Sequence, residues 1–171
     1  MINVKPLLKK AATSKFQLKK TNFLFSIGIP FNKPHKVTIQ SLSETEVKCY
    51  LPYIKRNFNH LRGIHAAALA TVGEYAAGLA MAQHFNSSHY RLIMTKLDVE
   101  YFNQARQAVV ASASFSSDDW ARLEEALKVE ESVVFTLSSQ LHNAELIGKN
   151  DHLATVTTQW QLKPWAKIKV D

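Results

Sequence analysis

Three residues stand at a spacing that chemistry can use: Asn59, His65 six positions later, and Glu74 nine positions after that. An amide, an imidazole and a carboxylate can orient a water, take its proton, and donate to an oxygen that gains charge. Glu74 lies in a run from Ala66 to Ala82 dominated by Ala, Leu, Val, Met and Gly, with no Lys or Arg after Arg62. Such a run is strongly helix-forming, and a helix apolar on almost every face must be buried. An ionised carboxylate in that setting is costly unless it is paired or hydrogen-bonded. Its helix neighbours are Ala70, Thr71, Ala77 and Gly78, so its own helix offers no basic partner. Partial desolvation would raise its pKa and suit it to general-base work near neutral pH. The plain alternatives stay open. Glu74 can reach a solvent edge, Asn59 can only turn the chain, and His65 can only bond the start of the helix.

The stretch Asn59-His60-Leu61-Arg62-Gly63-Ile64-His65-Ala66-Ala67 followed by Glu74 resembles the hot-dog-fold thioesterases of the phenylacetate-pathway type. Pro30-Phe31-Asn32-Lys33-Pro34-His35 is similar to the opening of a sister hot-dog family labelled only as a domain of unknown function. The resemblance runs from about Leu24 to Trp165. It implies an α+β hot-dog fold, a curved antiparallel sheet wrapped around a central helix, here with an extra N-terminal helix. It divides the chain into a helical extension, 1–34, and a hot-dog domain, 35–171.

The same resemblance implies an acyl-coenzyme A thioesterase-like hydrolase. Glu74 would be base or nucleophile, and Asn59 and His65 would orient water and thioester. Backbone N–H groups of Ala66 and Ala67 would hold the oxyanion. Gly63, Thr71 and Gly78 would line the substrate path. No cofactor or metal is expected. In related enzymes the Asn–His loop and the acid come from opposite subunits, so a homodimer or tetramer is expected. Those enzymes carry Gly-Gly where this chain has Ala66-Ala67. The added methyls narrow the approach of a thioester to the backbone. A non-catalytic acyl-binding or scaffold protein on the same fold is therefore the alternative. Arg62, Arg91, Arg106 and Lys149 are candidates for the coenzyme phosphates.

A length of 171 residues suits one domain with a full core. The single cysteine, Cys49, excludes an intramolecular disulfide and fits a reducing, cytoplasmic setting; its apolar strand context makes it a buried thiol. The net charge of +7 is local. Residues 1–36 hold eight lysines and no acid, leaving 13 basic and 14 acidic residues in the rest. A basic segment of this kind solvates itself or meets an anionic membrane or acidic partner. No nucleic-acid module accompanies it, and no signal-peptide cleavage site follows Phe23–Ile27. Gly-x-Ser-x-Gly, His-Glu-x-x-His, phosphate-binding Gly-rich loops and zinc spacings are all missing.

Periodicity places the elements. One helix is expected over 5–27, with Phe16, Phe23, Leu24 and Ile27 on one face and lysines largely opposite. Strands are expected over 37–41 and 46–54 with a turn at Ser43-Glu44-Thr45, then over 90–102, 105–115, 132–141 and 154–162. In the third strand Ile93, Leu97, Val99 and Tyr101 would share a face. Asn86-Ser87-Ser88 would close the central helix. A helix over 118–131 would be capped by Ser117 or Asp118, and a turn-rich segment over 142–151 would include Gly148 and Asn150.

Overall fold

A computed structural model describes residues 3–145 and 151–168. Gly148, Lys149 and Asn150 lie outside the described residues. Among the described residues four α-helices and six strands follow in the order α1 (Lys5–Ala11), α2 (Lys15–Gly28), β1 (Thr38–Leu42), β2 (Glu46–Leu51), α3 (Ala66–Ala82), β3 (Tyr90–Tyr101), β4 (Val109–Ser114), α4 (Ser117–Val129), β5 (Val133–Asn143) and β6 (His152–Pro164). The strands form one sheet in the order β1-β2-β4-β5-β6-β3, and every pairing is antiparallel.

The alternating strands read as expected. Val47, Cys49 and Leu51 of β2, Val109, Ala111 and Ala113 of β4, and Val156, Thr158, Trp160 and Leu162 of β6 all point into the core. Across that face lies α3, which packs on β2, β4, β5 and β6. Its close approach depends on Gly73: a β-carbon there would sit 2.4 Å from Val156 Cγ2. The Ser139 hydroxyl donates to the Gly73 carbonyl at 2.7 Å from the sheet below. Helix and sheet are thus pinned where one side chain is absent.

Four local expectations are corrected. First, the N-terminal helix is two helices. Thr13 N–H turns back to the Lys10 carbonyl, Ser14 is extended, and its hydroxyl accepts the Gln17 N–H at 3.2 Å to start α2. Second, α4 is capped one residue early, by a capping box between Ser116 and Asp119. Third, α3 ends at Ala82, and Asn86-Ser87-Ser88 belongs to the turn that leads into β3. Fourth, Ile93 does not share a face with Leu97, Val99 and Tyr101. The β3–β6 register slips between Met94 and Lys96, leaving Thr95 as a bulge. Leu97, Val99 and Tyr101 oppose Thr158, Val156 and Ala154, whereas Ile93 opposes Gln161 on the other face. Met94, opposite Trp160, takes the place assigned to Ile93.

The N-terminal segment joins the core. Leu8 is fully buried and belongs to the same hydrophobic cluster as the sheet and α3. Asn22 of α2 makes a fork on β1: its amide donates to the Ile39 carbonyl at 2.9 Å, and its oxygen accepts the Ile39 N–H at 2.7 Å. One edge of the sheet is thereby closed. The other edge, β3, pairs among the described residues only with β6. Among the described residues no helix is long and apolar enough to cross a membrane.

Candidate functional site

The loop before α3 is built by Asn59. Its side-chain oxygen accepts the N–H groups of Leu61 at 2.9 Å and Gly63 at 3.0 Å, and its own N–H donates to the Gly63 carbonyl at 2.8 Å. Arg62 takes the left-handed conformation, with φ of 60°, inside this turn. Gly63 is buried, and a β-carbon on it would lie 3.3 Å from the Ala105 carbonyl oxygen. Asn59 is therefore a loop organiser whose oxygen is already engaged. Upstream, Asn57 is fully buried and bonds His35 Nδ1 at 2.9 Å and the carbonyls of His35 and Pro52. This ties the Pro30–His35 turn to the start of α3.

His65 is the N-cap of α3, and its Nδ1 accepts the Ala67 N–H at 3.1 Å. An accepting Nδ1 leaves the proton of the neutral ring on Nε2, which becomes a donor. Of the two backbone donors expected from the sequence, Ala67 N–H is thus taken within the chain. Ala66 N–H has no acceptor among the described residues. Ala66 and Ala67 are exposed, and the Ala66 carbonyl accepts from the Tyr101 hydroxyl at 3.0 Å.

Beyond them α3 carries a strip its own sheet does not cover: Ala67, Thr71, Glu74 and Gly78, at helical spacings of four, three and four. The Thr71 hydroxyl donates back to the Ala67 carbonyl at 2.8 Å. Glu74 is half-buried, and among the described residues it has neither an ion-pair partner nor a hydrogen-bond donor. Burial pushes its carboxyl pKa above the ordinary value. Its Oε1 lies 3.9 Å from the position of a β-carbon on Gly78, and the Trp160 ring lies 3.5 Å from that same point. The carboxylate and the Trp160 ring thus both border the open side of Gly78, with Met94 and Leu97 of β3 exposed on the same sheet face as Trp160. Cys49 is fully buried, and burial pushes its thiol far above the ordinary range, so it is inert.

The chain alone does not bring its own predicted residues together. At 1.5 Å per residue, Glu74 stands about 10–12 Å along the helix from Ala66 and Ala67. One carbonyl cannot touch both. A cavity of about 190 Å³ opens at the helix start, lined by Phe31, His35, Arg56, Phe58, His65 and Thr71 among others. Arg56 carries no signal in the sequence; only the fold brings it to the cavity that His65 lines. Of the arginines the sequence offers for phosphate, Arg106 bonds Gln104 on the surface, and Arg62 is an exposed turn residue. A larger cavity of about 470 Å³, lined by Lys5, Lys9, Gln83, His84 and Trp120, lies at the opposite end of α3 and touches none of the candidate residues. Among the described residues no group of His, Cys, Asp and Glu could hold a metal ion.

Comparison with known proteins bears on the fold. A probable thioesterase of unknown function from Pseudomonas aeruginosa superposes with a TM-score of 0.76 at 19% identity, over 85% of this chain and 95% of that one. A protein of unknown function from Chlorobaculum tepidum superposes with a TM-score of 0.71 at 14% identity, over 90% and 98%. A thioesterase from Haemophilus influenzae gives 0.64 at 11% identity, over 90% and 95%. Identities this low speak for architecture alone, and that architecture is the hot-dog fold. No curated protein sequence matches the chain. The profile of a domain of unknown function, DUF4442, matches residues 19–142, and the chain belongs to that hot-dog family.

Proposed function

We propose that this protein is an acyl-coenzyme A thioesterase-like hydrolase whose site forms between two copies of the chain. The observation that carries the reading is Glu74: a carboxylate with a raised pKa on the uncovered strip of α3, beside Trp160 and without a basic partner among the described residues. A second copy supplies what the first lacks. β3 is the uncapped sheet edge, and its Tyr101 reaches the start of α3. Pairing along β3 carries the partner's α3 start toward this strip and removes an open edge.

In that arrangement Glu74 takes a proton from water, and the hydroxide attacks the thioester carbonyl carbon. The oxygen that gains charge meets Ala66 N–H, at the positive end of α3, and Nε2–H of His65. The C–S bond then breaks, and the Glu74 carboxyl returns its proton to the leaving thiolate. Asn59 holds the loop that sets His65. The apolar floor of Met94, Leu97 and Trp160 receives the acyl chain, and Arg56 receives coenzyme phosphate. A reducing cytoplasm keeps Cys49 as a thiol.

One observation favours a second reading, an acyl-binding protein without turnover. Ala67 N–H is already bonded to His65, and methyl groups stand at Ala66 and Ala67. A panel of acyl-coenzyme A substrates with wild type and Glu74→Ala separates the two. Hydrolysis lost on substitution supports the enzyme; wild-type binding without product supports the binder. Mixing inactive His65→Ala and Glu74→Ala chains tests the shared site. Random pairing restores about a quarter of the sites if each site draws on both copies, and none if each lies within one chain.

A further inference from the structure

The helix α2 is inverted relative to what its apolar residues call for. Its packed face is Leu18, Thr21, Asn22 and Phe25: Thr21 is 1% exposed, Asn22 bonds β1, and Phe25 meets the Tyr75 ring edge-on at 6.4 Å. Phe16, Lys20, Phe23 and Ile27 fall within an arc of about 60° on the opposite side. Phe16 is 74% exposed, Phe23 64% and Ile27 57%. A helix that puts two of its three aromatic rings into water while its amide faces the protein leaves an apolar stripe that no described residue buries.

Charge decides what covers that stripe. Lys20 stands within it and Lys19 and Lys15 follow on one side, not largely opposite as expected, and all three are exposed. No acid occurs before Glu44, and no lysine in residues 5–36 makes an ion pair among the described residues. A second copy docked by this face would set the three lysines against their counterparts, a like-charge contact that opposes assembly. A surface dense in negative charge with apolar material beneath it matches both features. No helix among the described residues is long enough to span a membrane, so the contact is one of lying on a bilayer.

We propose that the outer face of α2 docks on an anionic lipid surface, with Phe16, Phe23 and Ile27 entering the boundary between headgroups and acyl chains and Lys15, Lys19 and Lys20 meeting lipid phosphates. This stands apart from the thioester reading, since none of these residues lines the candidate site. It does have a consequence for that site. The turn after α2 carries Phe31 to the cavity beside His65, so docking brings the membrane close to the helix start where an acyl chain would be received.

Deleting residues 1–27 would strip Leu8 and Ala11 from the core, so the test uses the full chain and exposed point substitutions. Co-sedimentation is measured with phosphatidylcholine vesicles, with and without about 30% phosphatidylserine, at low and high salt. Wild type is expected on the anionic vesicles at low salt, released by salt, and absent from phosphatidylcholine alone. Phe16→Ser/Phe23→Ser is expected to weaken binding at least tenfold, and each of Lys15→Gln, Lys19→Gln and Lys20→Gln by about fivefold. Failure of wild type to bind anionic vesicles overturns the proposal. So does wild-type binding by the phenylalanine variant, which would mean a purely electrostatic contact. A fall in sedimentation mass of that variant in the absence of lipid would assign the face to a copy–copy interface and also overturn it.

Discussion

The Nδ1 of His65 accepts the Ala67 N–H at 3.1 Å, so the residue read as catalytic also caps the helix on which the proposed base stands. The two duties separate by substitution. Asn is a good N-cap but lacks the Nε2–H. His65→Asn should keep the melting temperature and lower turnover. His65→Ala should lower turnover and cost about 1 kcal/mol of stability through the lost cap. Urea unfolding beside steady-state rates distinguishes them; equal stability of both variants would remove the capping role.

Glu74 should give a rate that rises with pH. Burial raises its pKa, and the base works only once deprotonated, so kcat/KM climbs as pH passes through that raised value. Glu74→Ala should lower kcat by about 10²–10⁴-fold. Stability should run the other way. The folded carboxyl holds its proton in a window where the unfolded chain has lost it, so stability falls as pH rises from the unfolded pKa through the folded one. Glu74→Gln should therefore melt higher than wild type above that window, with the difference vanishing below about pH 4. Calorimetry across pH checks the sign.

Two glycines of α3 should respond oppositely to alanine. At Gly73 the new methyl meets Val156 at 2.4 Å, and Gly73→Ala should destabilise by about 1–3 kcal/mol or more. At Gly78 the nearest atom is a Trp160 ring carbon at 3.5 Å, an ordinary contact, and the gain in helix propensity is about 1 kcal/mol. Gly78→Ala should therefore stabilise the fold. Because its methyl lies 3.9 Å from Glu74 Oε1, it should also raise KM for bulky acyl groups. Denaturation midpoints and substrate series on both variants test the contrast.

The two sheet edges should differ as well. Asn22→Ala strips the fork from the buried Ile39 and should cost about 1–3 kcal/mol of stability with the assembly unchanged. Leu97→Lys on β3 replaces an exposed apolar side chain and should spare monomer stability while weakening self-association at least tenfold. Sedimentation velocity over a dilution series reads the second effect. Unaltered mass for Leu97→Lys would move the proposed pairing away from β3.

Periodicity sufficed for α3, β2, β4 and β6, because each buries one face against the rest and the burial is written in consecutive residues. The same local signal located Glu74 in an apolar helix and His65 at its start. The bulge at Thr95 left no trace in the sequence, since a register slip exists only between β3 and β6. α2 is a related case: an apolar stripe tells that a helix is amphipathic, not which side the protein occupies, and Asn22 reaches Ile39 only once the sheet edge has formed. The bond from Ala67 to His65 is local to the helix cap, whereas the contact of Tyr101 with Ala66 and the place of Arg56 in the cavity that His65 lines arise from tertiary packing. Residue types settled which candidate groups the chain carries, and helix geometry sets Glu74 two turns from the helix start on one copy; packing settled which other elements meet them.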